Sequence, residues 1–180
     1  MFAKICVMKA STVSPDFLLA ELHARGLSYL LGPVSAHTGP RLQDYQLLAQ
    51  LTMQQDARLR SSLIPLFLSG RQFTDVLPLA LEILPREREI IAKIYYTVAV
   101  LLQKEHQSQL MALFPDWQPI PDLFSVELDI DHLDTTETKL RQLGIIHARL
   151  VGLQANWPGT YRHAARQFIN HLQAEKRWVA

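Results

Sequence analysis

The seven histidines are the side chains of this sequence best suited to proton transfer and metal binding. No two of them stand at the i, i+4 spacing that puts both imidazoles of a zinc site on one helical face. His163 and His171 share a predicted face but would need ligands from elsewhere. The acidic run 129–134 lacks the glycine and glutamate of a calcium loop, having Asp134 and Leu140 at those positions. We therefore predict no metal ion and no cofactor.

Motifs for phosphate binding and for acyl transfer are missing from the sequence. There is no G-x-x-x-x-G-K, no G-x-G-x-x-G and no G-x-S-x-G. The single cysteine, Cys6, excludes an internal disulfide framework and a cysteine-based zinc cluster. The leading prediction therefore contains no catalytic residues.

Arg166 and His171 form one pattern that resembles a known catalytic signature. They are separated by four residues, R-x4-H, on a predicted C-terminal helix. The pattern resembles that of the HEPN superfamily of ribonucleases, which are small helical bundles. The resemblance implies that Arg166 would hold a phosphate and that His171 would act as acid or base at a ribose 2′-hydroxyl. The resemblance covers six residues. A similar spacing of Arg141 and His147 gives a second match, and two matches are about as many as chance predicts for this composition. The ribonuclease is therefore an alternative hypothesis.

Charge is distributed unevenly although the total is only +1. Residues 105–138 carry eight acidic and no basic groups, whereas residues 139–180 carry seven basic and one acidic group. We expect the basic part either to attract the acidic part or to meet a partner, through nucleic-acid phosphates or a carboxylate-rich protein. On the predicted last helix, polar side chains at three- and four-residue steps form one stripe, comprising Arg162, Arg166, Asn170, Gln173 and Arg177.

Apolar residues at helical spacing organise most of the chain. The pattern predicts helices from Ser14 to about Arg25, over 42–63 and over 73–84, followed by two helices after Asp134. The most regular stripe predicts a long central helix at about 86–114. Only 124–130 has a tolerable strand pattern. We therefore predict an all-α, irregular bundle of five to seven helices.

The chain is expected to form a single helical domain over 1–180. Within it we predict a disordered or extended N-terminus (1–13), a Pro-rich acidic connector (115–133) and a basic C-terminal helix pair (134–177). The longest apolar run, 90–102, is shorter than the about 20 residues that a bilayer requires. Because the start lacks a signal-peptide pattern, whether translation begins at Met1 or Met8, we predict a cytoplasmic protein without membrane contact.

These observations favour a non-catalytic interaction protein, an antitoxin-like or regulatory subunit that binds another protein or itself. One alternative is a nucleic-acid-binding or HEPN-like ribonuclease module that uses 139–177. A second is a small-molecule-binding helical bundle, for which the sequence locates no pocket. Aromatic and arginine side chains are common anchors of interfaces. The predicted partner-binding residues are Trp117, Trp157, Trp178, Arg162, Arg166 and Arg177.

Overall fold

The computed structural model describes residues 13–29 and 40–179. These residues form ten helices and no strand, which confirms the all-α prediction for this part of the chain. Seven of the ten helices have at least seven residues, so the total exceeds the predicted five to seven because three are shorter. The helices are α1 (Pro15–His23), α2 (Asp44–Met53), α3 (Ala57–Ser61), α4 (Leu63–Ser69), α5 (Gln72–Asp75), α6 (Leu77–Glu82), α7 (Arg86–Glu105), α8 (Gln107–Leu113), α9 (Thr136–Val151) and α10 (Trp157–Val179).

Two segments lie outside the described residues. They are residues 1–12 of the predicted N-terminal segment, which include Cys6, and residues 30–39. The strand candidate 124–130 is described, and it folds as a series of turns. Among the described helices, none combines the length and sustained hydrophobicity of a transmembrane span.

Helix α7 occupies the centre of the core. Thirteen of its twenty side chains are buried, and it packs against α2, α4 and α9. Tyr96 meets Phe67 of α4 edge-on at 5.1 Å between ring centroids, and its hydroxyl donates to the Pro121 carbonyl at 2.7 Å. A helix that is apolar on several sides is expected to be surrounded by other elements, and α7 follows this rule.

The predicted central helix at 86–114 is interrupted at His106, so the predicted span is wrong beyond residue 105. His106 leaves helical geometry at φ −115° and ψ 12°, and its Nδ1 lies 2.8 Å from Gln109 Oε1. Leu110 and Leu113 of α8 nevertheless face the core. Because the break keeps the apolar stripe in register, periodicity alone does not show it.

Two further predicted helices are divided in the structure. The span 42–63 becomes α2, α3 and the start of α4, since Asp56 caps α3 by accepting a hydrogen bond from Arg58 N at 2.8 Å. The span 73–84 becomes α5 and α6, with Pro78 in the first turn of α6, where its missing N–H costs no helical hydrogen bond. Pro65 lies in the first turn of α4, where its missing N–H costs no helical hydrogen bond.

Helices α9 and α10 pack closely because of a glycine at their contact. A Cβ at Gly144 would lie 3.0 Å from the Trp157 Cβ, which is tighter than ordinary packing. Helix α9 ends at Gly152, whose φ of +67° is the left-handed conformation that favours glycine. These two glycines set the start of α10 against the inner face of α9.

Candidate functional site

The three tryptophans predicted as anchors lie in different environments. Trp157 is 2% exposed and belongs to the core, so its prediction as a partner-binding residue is wrong. Trp117 is half-buried, and its Nε1 donates to the Leu68 carbonyl at 3.1 Å. Trp178 is 89% exposed near the end of α10. A large apolar side chain with this exposure is the kind of group that a partner can cover.

Arg162 joins three helices by ion pairs. Its Nη1 lies 2.7 Å from Glu137 Oε2 of α9, and its Nη2 lies 3.0 Å from Glu105 Oε1 at the end of α7. The hydrogen bonds from these carboxylates raise the pKa of Arg162, and the same contact with Arg162 lowers the pKa of the Glu137 carboxyl. The acidic and basic parts of the chain thus attract each other here, so Arg162 is occupied within the chain.

Replacing Arg162 by alanine is expected to lower the thermal midpoint by about 2–4 °C, because the pairs are partly exposed and screened. The exposed Arg166→Ala on the same helix is the matched control, and it should leave the midpoint unchanged. The difference between the two variants should shrink in concentrated salt. Equal midpoints at low salt, measured by differential scanning calorimetry, would show that the pairs do not hold α10 in place.

Arg166 and His171, the pair of the R-x4-H pattern, have separate environments. Arg166 is exposed, and its Nε donates to the Arg162 carbonyl at 3.4 Å. His171 Nε2 lies 2.8 Å from Ser28 Oγ and 3.0 Å from Glu175 Oε1. Positions five apart on a helix project roughly 140° from each other. The described contacts therefore do not bring the arginine and the imidazole to one point.

A buried polar cluster surrounds His147 of α9, and the sequence analysis did not find it. His147 is fully buried, its Nδ1 lies 2.9 Å from Tyr161 Oη, and the Trp157 ring stacks on it at 3.9 Å between centroids. Burial, with a smaller effect of the Arg60 charge, lowers the pKa of His147 to about 3. The imidazole is therefore neutral at physiological pH.

Arg60 and Tyr95 complete this cluster from α3 and α7. Arg60 is 4% exposed, and its Nη1 donates to the carbonyls of Gln54 and Gln55 at 2.5 and 2.7 Å, just beyond the end of α2. Burial raises the pKa of Tyr95 to about 12, against the opposing effect of Arg60. Because these side chains are closed off from solvent, we interpret the cluster as part of the core.

Three surface features among the described residues remain as candidate ligand sites. A groove of about 380 Å³ is lined by Arg71, Phe114 and Trp117, and one of about 310 Å³ lies between α3 and α10. Asp129, Asp131 and His132 bring ligand atoms within 4.8 Å of one another, but all three are exposed. The two grooves make room for a side chain of a partner or a small molecule, as the small-molecule alternative requires.

The exposed end of α10 is here called the C-terminal surface. It comprises Lys176, which faces α8, together with Arg177 and Trp178, which project in other directions around the end of the helix. Lys176 Nζ donates to the Ala112 carbonyl at 3.0 Å, which holds α10 against α8. No carboxylate of the described residues pairs with Lys176 or Arg177. The surface therefore joins exposed apolar area to positive charge.

Comparisons with protein-family models, with characterised proteins and with solved structures found no match to this chain.

Proposed function

We propose that this chain is a non-catalytic helical subunit that binds another protein through its C-terminal surface. The observation that carries the proposal is Trp178, which is 89% exposed near the end of a 23-residue helix. Burying such a side chain stabilises a complex by about 2 kcal/mol or more. Tryptophan is among the residues most enriched at the energetically important centres of protein interfaces.

The charge of the C-terminal surface supports a partner with acidic groups. Lys176 and Arg177 stand next to Trp178 in the last turn of α10, and Arg166 is exposed along the same helix. Charges around an apolar anchor contribute mainly to the rate and specificity of association. A partner that presents carboxylates around a small apolar patch fits this arrangement.

The Trp117 groove offers a second contact for a bound segment. It lies where the chain leaves α8, between Phe114 and Gln118, and opposite Arg71. The Trp117 ring is half-buried, so a partner residue in the groove would contact an aromatic face that the fold already holds in place. This arrangement lowers the entropy cost of binding.

Replacing Trp178 by serine should weaken partner binding at least tenfold, because truncation of a central aromatic anchor typically costs ~2 kcal/mol or more. The matched control is Leu153→Ser, since Leu153 is also exposed (51%) but lies in the loop between α9 and α10. The measurement is quantitative capture by the immobilised protein from a native extract, with bound proteins identified by mass spectrometry. Equal recovery by the two variants would contradict the proposal.

The alternative function is a nucleic-acid-binding module or HEPN-like ribonuclease that uses residues 139–177. The exposed basic residues of this region are compatible with it. Arg162 and Arg141 already contact Glu137, which leaves fewer cations for phosphates. If the alternative holds, Arg166→Ala weakens binding of RNA or DNA and reduces its salt dependence. An electrophoretic mobility assay at low salt tests it, and absence of binding there excludes this class.

A further inference from the structure

A second exposed apolar surface lies in the acidic part of the chain. It is here called the acidic turn and comprises Asp122, Leu123, Val126, Asp129 and Asp131. Leu123 is 49% exposed and Val126 is 77% exposed, and the three carboxylates beside them are exposed. The acidic turn is therefore the complement of the C-terminal surface in charge, with apolar area of its own.

The acidic turn is held rigidly, which favours a defined contact. Ser125, Leu128 and Ile130 point into the protein and are buried. The backbone folds back on itself through hydrogen bonds from Leu128 N to the Phe124 carbonyl (2.9 Å) and from Ile130 N to the Ser125 carbonyl (3.0 Å). The exposed side chains are thus presented by a fixed backbone, so little order has to be gained on binding.

Within one chain, these two surfaces do not cover each other. Trp178 and Val126 are both largely exposed. The end of α10 is held at the Ala112 carbonyl of α8 through Lys176, whereas the acidic turn is held at Lys93 of α7 through Glu127 at 2.6 Å. The complementary surfaces are therefore available to two different molecules.

We propose that the partner of the C-terminal surface is the acidic turn of a second copy of this chain. Trp178 would cover Leu123 and Val126, while Arg177 faces Asp129 and Asp131. This inference rests on the proposed function and names its partner. Since the two patches differ, the contact is heterologous and forms a ring or an open chain of subunits.

The contact is small, so we expect association that depends on concentration and on salt. Interfaces at the low end of the size range are transient. Raising the salt concentration tenfold, from about 0.05 M, should weaken self-association because the charges lie at the exposed rim. Sedimentation velocity over a range of protein concentrations measures both effects.

A mixing experiment tests the head-to-tail pairing. Trp178→Ser and Val126→Ser should each reduce self-association at least tenfold when studied alone. An equimolar mixture should recover a one-to-one dimer, because each variant still carries the surface that the other lacks. Leu153→Ser is the matched control and should associate like the wild type. Far-ultraviolet circular dichroism confirms that all variants are folded.

Two outcomes would overturn the head-to-tail proposal. One is a wild-type protein that stays monomeric at every concentration, and the other is a mixture of variants that forms no dimer. In either case, the proposed function would still stand if the wild type captures another protein through Trp178. It would fail separately if Trp178→Ser and Leu153→Ser capture that protein equally.

Discussion

Lowering the pH from 7 to 4 is expected to remove about 3 kcal/mol of folding stability through His147 alone. In the folded protein the pKa of this imidazole is lowered to about 3, whereas an unfolded histidine titrates near its ordinary value of about 6.5. The unfolded chain therefore binds one more proton than the folded protein between these values. The stabilising contribution is complete above pH 6.5 and is lost progressively as the pH falls toward 3.

The variant His147→Gln isolates this effect, because glutamine has no titrating group and retains a hydrogen-bonding side chain beside Tyr161. Urea unfolding at several pH values should give a slope that is lower by about 1.4 kcal/mol per pH unit than in the wild type. The exposed Leu153→Ser, which removes no titrating group, is the control and should keep the wild-type slope. Parallel curves for wild type and His147→Gln would show that His147 is not buried as described.

Trp157→Ala is expected to lower the free energy of unfolding by about 3–5 kcal/mol, because it empties a site in the core. Trp157 is 2% exposed, stacks on His147, and donates from Nε1 to the Leu153 carbonyl at 3.3 Å. Its Cβ also lies where Gly144 allows close approach of α9. Helices α9 and α10 thus meet at this one side chain.

Trp178→Ala provides the matched comparison for Trp157→Ala. Because Trp178 is 89% exposed, its removal should change the free energy of unfolding by less than about 0.5 kcal/mol. Trp157→Phe should retain more stability than Trp157→Ala. If the alanine variant does not fold, Trp157→Phe is compared with Trp178→Ala instead. Similar urea midpoints for the alanine variants of the two tryptophans would contradict the division into core and surface.

The sequence predicted the fold class because apolar spacing is a property of each helix by itself. The interior of α7, with Tyr95 and Tyr96, follows directly from its uninterrupted apolar pattern. The break at His106 does not follow from that pattern, because Leu110 and Leu113 continue the apolar stripe beyond it. The boundary of a helix depends on the backbone conformation of one or two residues. The local sequence predicts that conformation only where it contains a recognisable capping residue such as Asp56.

The candidate site was only partly accessible from the sequence, because exposure depends on tertiary packing. Trp157 and Trp178 both stand in amphipathic or turn contexts, and only the contact with Gly144 reveals which is buried. The same limit applies to Arg162, whose partners Glu105 and Glu137 are 57 and 25 residues away. The uneven charge indicated attraction between the two parts, but it did not identify the pairs.

The buried cluster around His147 was missed for a similar reason. A histidine in an apolar stripe gives no sequence signal for its partners, and Tyr161 and Arg60 come from other helices. The spacing that the sequence analysis did single out, Arg166 with His171, joins side chains that the structure keeps apart. Chemistry-bearing residues are thus recognised here by their environment rather than by their spacing.

Photo-crosslinking from position 178 tests the central claim most directly. A benzophenone amino acid would replace Trp178 in one variant and Leu153 in the other, and both proteins would be irradiated in the cells that produce them. The account predicts a covalent adduct to protein from position 178 alone, with crosslinked peptides from residues 121–131 of a second copy. An adduct from position 178 that is no more abundant than that from position 153 would contradict it.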